Sequence, residues 1–334
     1  MSLYQKLAHK PQQFLTLTGI ELSEFERLLP ELEAADERQQ ITRKALTVRH
    51  QQARQRQPGG GAPYGNDFPD RCLMLLLYYR LYVTQDFLAL LFKASDKSVI
   101  CRGVKSVRAA WQGVLPLPAR VRERILTAAR EVSKRRQKRI GSLAEFRAAY
   151  PELEFLIDGT EQPKRKPQNK QKRKDDYSGK KKRHTRKQLI TATRSGLIVD
   201  QSPAVGGRAH DFKVFKEDHA KRGVFKECAG LRVTVYADSG FQGLQDQGLP
   251  VECRVVKRAT RNHPLTRQER EINRYRSSQR MANEHVIGRR KKYQIAAQEY
   301  RNQDEDYDTT MEIVAGLVNL RALKRISQRT GVTF

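Results

Sequence analysis

The sequence is short of cysteine, of acidic residues relative to basic ones, and of long apolar runs. Each shortage removes a class of protein. The four cysteines, Cys72, Cys101, Cys228 and Cys253, are scattered over 334 residues. No pair has zinc-finger or redox spacing, so a disulfide framework is excluded and the thiols read as reduced, mostly buried groups of a cytosolic protein. No apolar stretch approaches the roughly 20 residues that a membrane span needs, and Met1 to Lys10 lacks the apolar core of a secretory leader. Acidic residues number 37 against 65 Lys and Arg, a formal net charge of +28. Such an excess repels itself unless a polyanion neutralises it, and nucleic acid is the default partner. What is present suits a globular chain: 38% of residues are hydrophobic, in a length fit for two or three domains.

The first part of the chain reads as helical. Leu22, Phe25, Leu28, Leu29 and Leu32 recur at helical spacing, and a basic, glutamine-rich stretch runs from Gln39 to Gln57. Pro58-Gly59-Gly60-Gly61-Ala62-Pro63 breaks it. Arg71 to Tyr82 is a strongly apolar helix candidate. Residues 84–110 have helix-turn-helix character. Thr84 caps a short helix expected to pack through Phe87, Leu88 and Leu91, Lys93-Ala94-Ser95 turns, and Ser95 or Asp96 caps a second helix packing through Val99, Val104 and Val107. That leaves Lys97, Arg102, Lys105 and Arg108 for solvent or for a DNA groove; the pattern also fits any short helical hairpin, and the basic charge favours DNA. Leu115-Pro116-Leu117-Pro118 ends this region, and Arg120 to Arg139 forms a basic helix, either a linker or a solvated surface.

From Leu153 the pattern turns to strands. Glu154 to Asp158 is an apolar run ending in an acid; residues 185–194 and 197–204 flank the hairpin signal Ser195-Gly196. Asp211 to Asp218 reads as a short helix with Asp211 as N-cap, Leu231 to Asp238 and Val251 to Val256 as strands, and Leu265 to Tyr300 as one long helix, with room for an interruption. The order argues an α/β fold, a mixed sheet flanked by helices, after an all-α region. The expected domains are residues 1–135 and 136–334.

Two acids share an unusual setting. Asp158 and Asp238 each follow an apolar strand and precede a glycine-containing turn. One such Asp is usually a turn or cap residue. Two of them at strand ends in so basic a chain can instead hold cations beside a phosphodiester. A third acid should come from a nearby helix. Arg280, Glu284 and Lys291 fall within about 40° of one line on the last helix. Either they form a solvated ion-paired face, or Glu284 holds metal while the cations grip phosphate. Arg and Lys crowd residues 162–187, a run read as a loop that orders on DNA, with Tyr177, Lys180, Lys181, His184 and Lys187 on the phosphates. His210 is either catalytic or a structural neighbour of the Asp211 cap.

These motifs together resemble the DDE transposases of bacterial insertion sequences, in the branch related to PIF/Harbinger elements. Ile157-Asp158-Gly159-Thr160-Glu161 resembles the first-acid motif, Tyr177 to Lys187 the basic stretch after it, and Gly206 with His210-Asp211 the next segment. Ala237-Asp238-Ser239-Gly240-Phe241-Gln242-Gly243 resembles the second-acid motif, and Arg280, Glu284 and Lys291 the third-acid signature, with Ser277 where a tyrosine often stands. The resemblance spans nearly the whole chain. It implies an RNase H-like catalytic fold in which Asp158, Asp238 and Glu284 ligate two Mg²⁺ ions, Mn²⁺ serving in their place. It further implies double-stranded DNA as partner (element ends and target), a homodimer or larger assembly on DNA, and a cytoplasmic, nucleoid-associated location in bacteria. A domesticated DNA-binding protein and an RNase H-fold nuclease without transposition are the rivals.

Overall fold

A computed structural model describes residues 1–49, 65–136 and 153–330. The Pro58–Pro63 breaker and the start of the second expected domain, from residue 137 to 152, lie outside the described residues. The chain divides into two compact units, Met1–Leu115 with Lys292–Ala296, and Pro116–Lys291 with Ala297–Phe334.

The first unit is all helix: α1 (Leu3–Ala8), α2 (Pro11–Thr18), α3 (Leu22–Arg49), α4 (Phe68–Leu81), α5 (Gln85–Phe92) and α6 (Lys97–Val114). Local chemistry sets the ends. Ser2 and Gln5 form a capping box on α1, Pro11 opens α2, and Gly19 closes it in the left-handed conformation at φ 82°. Asp67, Thr84 and Asp96 cap α4, α5 and α6 through their side-chain oxygens. Helix α4 is apolar on every side, and Cys72 to Tyr79 are all buried, so it forms the centre of the unit. Helix α6 lays Ile100, Val104, Val107 and Trp111 against the core.

Two expectations fail here. Helix α5 buries Leu88, Ala89 and Phe92, while Phe87 and Leu91 face out together with Leu90. An eight-residue helix that is apolar on both faces gives periodicity no side to choose. Arg108 is buried, not outward. It lies four residues after Val104 and so falls on the buried stripe. Lys97, Arg102 and Lys105 are exposed as expected.

The second unit begins with α7 (Pro118–Arg136), whose Val121, Ile125, Leu126 and Ala129 belong to the sheet core. The division therefore falls at Leu115/Pro116, before the expected boundary at 135. The strands are β1 (Glu154–Pro163), β2 (Tyr177–Ser178), β3 (Arg183–Thr193), β4 (Ile198–Gln201), β5 (Val205–Gly206), β6 (Thr234–Ala237) and β7 (Glu252–Val255). They make one mixed sheet in the order β2-β3-β1-β6-β7, with β4 and β5 also on β3. Strands β1, β3 and β4 pair antiparallel, whereas β1, β6 and β7 run parallel. Gly196, at φ 94°, turns the β3–β4 hairpin. The helices of this unit are α8 (Lys170–Asp175), α9 (Asp211–Arg222), α10 (Arg267–Lys291) and α11 (Tyr307–Thr330). The expected helix to Tyr300 stops at Lys291. Asn319 of α11 accepts from the Ile198 amide at 2.7 Å and donates to its carbonyl at 2.8 Å, closing the edge of β4.

The basic stretch is a built element. It contains α8 and β2, and Lys164 pairs with Asp176 at 2.8 Å and Asp304 at 3.1 Å, while Arg183 reaches Glu299 at 3.4 Å. Asp176 within the run and acids from before α11 together supply the counter-charge.

Candidate active site

Asp158 does not end its strand. Its antiparallel pairing to β3 continues to Pro163, while the parallel pairing of β1 to β6 stops at Leu156↔Tyr236. Two residues further along each chain stand Asp158 and Asp238, so the strand register itself brings the two acids together where β6 gives out. Asp238 leaves β6 and caps the next turn by accepting from the Gly240 amide at 2.8 Å. Asp158 accepts from the Gly159 amide at 2.8 Å.

Helix α10 crosses this point. Asn283 fixes it: the buried amide donates to the Leu156 carbonyl of β1 at 3.0 Å and to the Ile190 carbonyl of β3 at 3.2 Å. That anchor aims Arg280, three residues earlier, at both acids. The Arg280 guanidinium lies 3.6 Å from Asp158 Oδ2 and 3.9 Å from Asp238 Oδ2. Glu284 follows the anchor and lines the same cleft, exposed to solvent. Burial pushes the Asp158 carboxyl above its ordinary range; Arg280 pulls it back, and the charges of Asp238 and Asp211 push it up again.

The cleft holds about 520 Å³ and is lined by Asp158, Asp238 and Glu284 together with Lys180, Lys181 and Lys291. Desolvation, and then the charges of Lys181 and Arg290, hold the Lys291 ammonium below its ordinary value. Tyr177 and His184 meet edge to face at 5.6 Å in the β2–β3 pair. Lys97, Arg102 and Lys105 belong to the first unit.

Two further expectations fail. Lys187, expected on phosphate, is buried; its ammonium pairs with Asp211 at 2.9 Å and Glu161 at 3.5 Å and donates to the Ala209 carbonyl at 2.6 Å. It faces Glu161 directly across the β1–β3 pair, which takes it inward. His210, not Asp211, is the N-cap of α9, its Nδ1 accepting from the Phe212 amide at 3.4 Å. This leaves Asp211 free to turn into the cleft. Asp211 and Glu161 are thus site residues that sequence reading missed, as is Arg208, an exposed cation on the same wall. Glu161 could have been found from its place three residues after Asp158. Asp211 could not, because its role follows from which residue caps α9.

Asp158 and Asp238 present hard oxygen donors to one shared cation, Arg280, and such donors suit a divalent ion of the Mg²⁺ class. Among the described residues no three ligating side chains are clustered tightly enough to hold a metal ion. The donor set fits in type: Asp158 and Asp238 share Arg280, and Glu284 lines the same cleft.

Residues 157–319 match the DDE superfamily endonuclease family, a span that takes in all three acids. The chain is 29% identical over 253 residues to a "Probable transposase for insertion sequence element IS702" of Microchaete diplosiphon, covering 75% of this chain and 79% of that protein. Together these matches support a transposase of the DDE superfamily. A solved piggyBac transposase synaptic complex with hairpin DNA is 10% identical, covers 94% of this chain and 76% of its own, and has a TM-score of 0.43, too loose a likeness to carry an argument. Among the described residues no helix is long and apolar enough to cross a membrane.

Proposed function

We propose that this chain is the transposase of an insertion sequence, in the branch related to PIF/Harbinger elements. It binds the terminal inverted repeats of its own element, cleaves phosphodiester bonds there and joins the freed 3′-OH ends to target DNA. The observation that carries the reading is the pair Asp158 and Asp238, facing one guanidinium in a cleft whose rim is lysine. The strand order, antiparallel across β4-β3-β1 and parallel across β1-β6-β7, supports an RNase H-like catalytic unit. The α5–turn–α6 hairpin, with Lys97, Arg102 and Lys105 outward, supports a helix-turn-helix reader of the element ends.

Two Mg²⁺ ions, or Mn²⁺ in their place, would be held by Asp158, Asp238 and Glu284 and would stabilise the attacking and leaving oxygens of an in-line displacement. The chain's own groups do the rest. Lys180, Lys181 and Lys291 hold the strand by its phosphates. Arg280 lies against both carboxylates and offsets their mutual repulsion. Two element ends must be handled at once, so a dimer or larger assembly on DNA is expected, in the bacterial nucleoid.

The test is an assay of the full chain on a duplex carrying its own element ends and flanks, with Mg²⁺ and a target duplex. Cuts at the element boundary and joined products are expected, both lost in Asp158→Asn and Asp238→Asn. Cuts without joined products would favour a nuclease, and end binding without cuts a domesticated DNA-binding protein.

A further inference from the structure

Lys187 and Glu161 are cross-strand partners, and their charges already balance as a pair. A third charge joins them. Asp211, the first residue of α9, brings a second carboxylate to the same ammonium at 2.9 Å. The clasp therefore holds two negative charges and one positive, and it sits beside Asp158. A purely structural ion pair has no need of the second acid. The chain makes room for it: a Cβ on Gly159, the residue after Asp158, would lie 2.8 Å from Asp211 Oδ2.

We propose that Asp211 is a positioning residue for the cation site, a carboxylate that keeps a surplus negative charge beside Asp158 and Asp238, with Lys187 as the counterweight that limits it. This rests on the reading of Asp158 and Asp238 as cation ligands. The arrangement parallels the pair in front of it. Asp158 and Asp238 share Arg280, and behind them Glu161 and Asp211 share Lys187. Charge in the rear pair acts through space on the front pair and makes a divalent ion's arrival more favourable.

The experiment is Mn²⁺ binding to the full-length chain without DNA, read by the loss of the free-ion electron paramagnetic resonance signal. Asp158→Asn comes first and should abolish specific binding. If wild type and Asp158→Asn bind Mn²⁺ alike, the ligand reading itself is wrong and this inference falls with it. Given that loss, Asp211→Asn should weaken Mn²⁺ binding about threefold to tenfold, as expected for one charge removed at this range. Lys187→Gln should strengthen it by a similar factor. A role in stability alone predicts no such opposition: both variants would then bind more weakly, or neither would change, and either result overturns the inference. Should Asp211→Asn not fold, Glu161→Gln removes the other acid of the clasp and is held to the same weakening.

Discussion

The helical unit and the sheet unit bury different things. Among the described residues of the first unit the core is aliphatic and aromatic, with Asp36, Asp70, Arg71 and Arg108 its buried charged residues and no buried Asn or Gln. The second unit also encloses charged residues, Arg122, Glu154, Asp176, Lys187 and Arg290, and it adds the buried amides of Gln162, Gln188, Asn283 and Asn319, each with partners. Packing without buried amides is enough to hold the helices together and present cations on a surface. Holding carboxylates against their own repulsion requires a buried polar frame. The contrast predicts that substitutions in the first unit act on stability, and that those around β1 and α10 act on chemistry out of proportion to stability.

The largest effect should come from Glu284→Gln. It keeps the side chain's size, removes one charge from the cleft, and cuts no hydrogen bond of the frame. Cleavage should fall by at least about 10²–10³-fold, as when one transition-state contact is lost, with end binding nearly unchanged. Glu299→Gln removes an acid that pairs with Arg165 and Arg183 at the surface, and it should cut almost normally. Near-normal cleavage by Glu284→Gln would send the search for a third ligand to Glu161 and Asp211.

In the helical unit, Leu76→Ala opens a cavity in a fully buried site and should cost about 3 kcal/mol. The thermal midpoint would fall, yet protein that is still folded should cleave at the wild-type rate when bound to saturation. A chemical defect in the folded fraction would break the contrast.

Two asparagines sharpen it within the sheet unit. Asn283 and Asn319 are both buried and both bridge a helix to strand backbone. Replacing either by Ala leaves buried carbonyls or amides unpaired and should cost about 1–3 kcal/mol. Only Asn283 aims α10 at Asp158 and Asp238. Asn283→Ala should therefore also slow cleavage, by about tenfold or more if α10 shifts by an ångström, whereas Asn319→Ala should not. Equal rates in the two variants would mean that the anchor serves stability alone.

Much of this was legible in the sequence, for definite reasons. Asp158 and Asp238 stood out because apolar strands precede them, and the β3–β4 hairpin because Ser195-Gly196 demands a turn. The cap at Thr84, and one at Ser95 or Asp96, followed from side-chain chemistry, and the structure settles the second on Asp96. What escaped depended on pairing across the sheet. Asp158 looked terminal because the composition changes there, whereas β3 carries the strand five residues further, to Pro163. Lys187 looked like one more cation of a basic run. Only the register opposite Glu161 shows it as buried. The basic stretch itself looked unstructured because two of its counter-charges, Glu299 and Asp304, are distant in sequence.

The smallest effect tests that last distinction among lysines. DNA binding should weaken steeply with salt, with a slope of log K against log[salt] of roughly −5 or steeper, because lysine–phosphate contacts release counterions. Lys181 is exposed on the rim of the cleft, where Lys181→Ala should make the slope less negative by about 1. Lys187 is three strand positions from His184 in the same basic motif, yet its ammonium is already neutralised by Asp211 and Glu161. A buried, paired lysine releases no counterion from DNA, so Lys187→Gln should leave the slope unchanged while it alters Mn²⁺ binding. If Lys187→Gln flattens the slope as much as Lys181→Ala does, the lysine leaves its clasp for phosphate when DNA arrives. The buried frame of the sheet unit would then be a surface held in reserve, and the contrast between the two units would hold only without DNA.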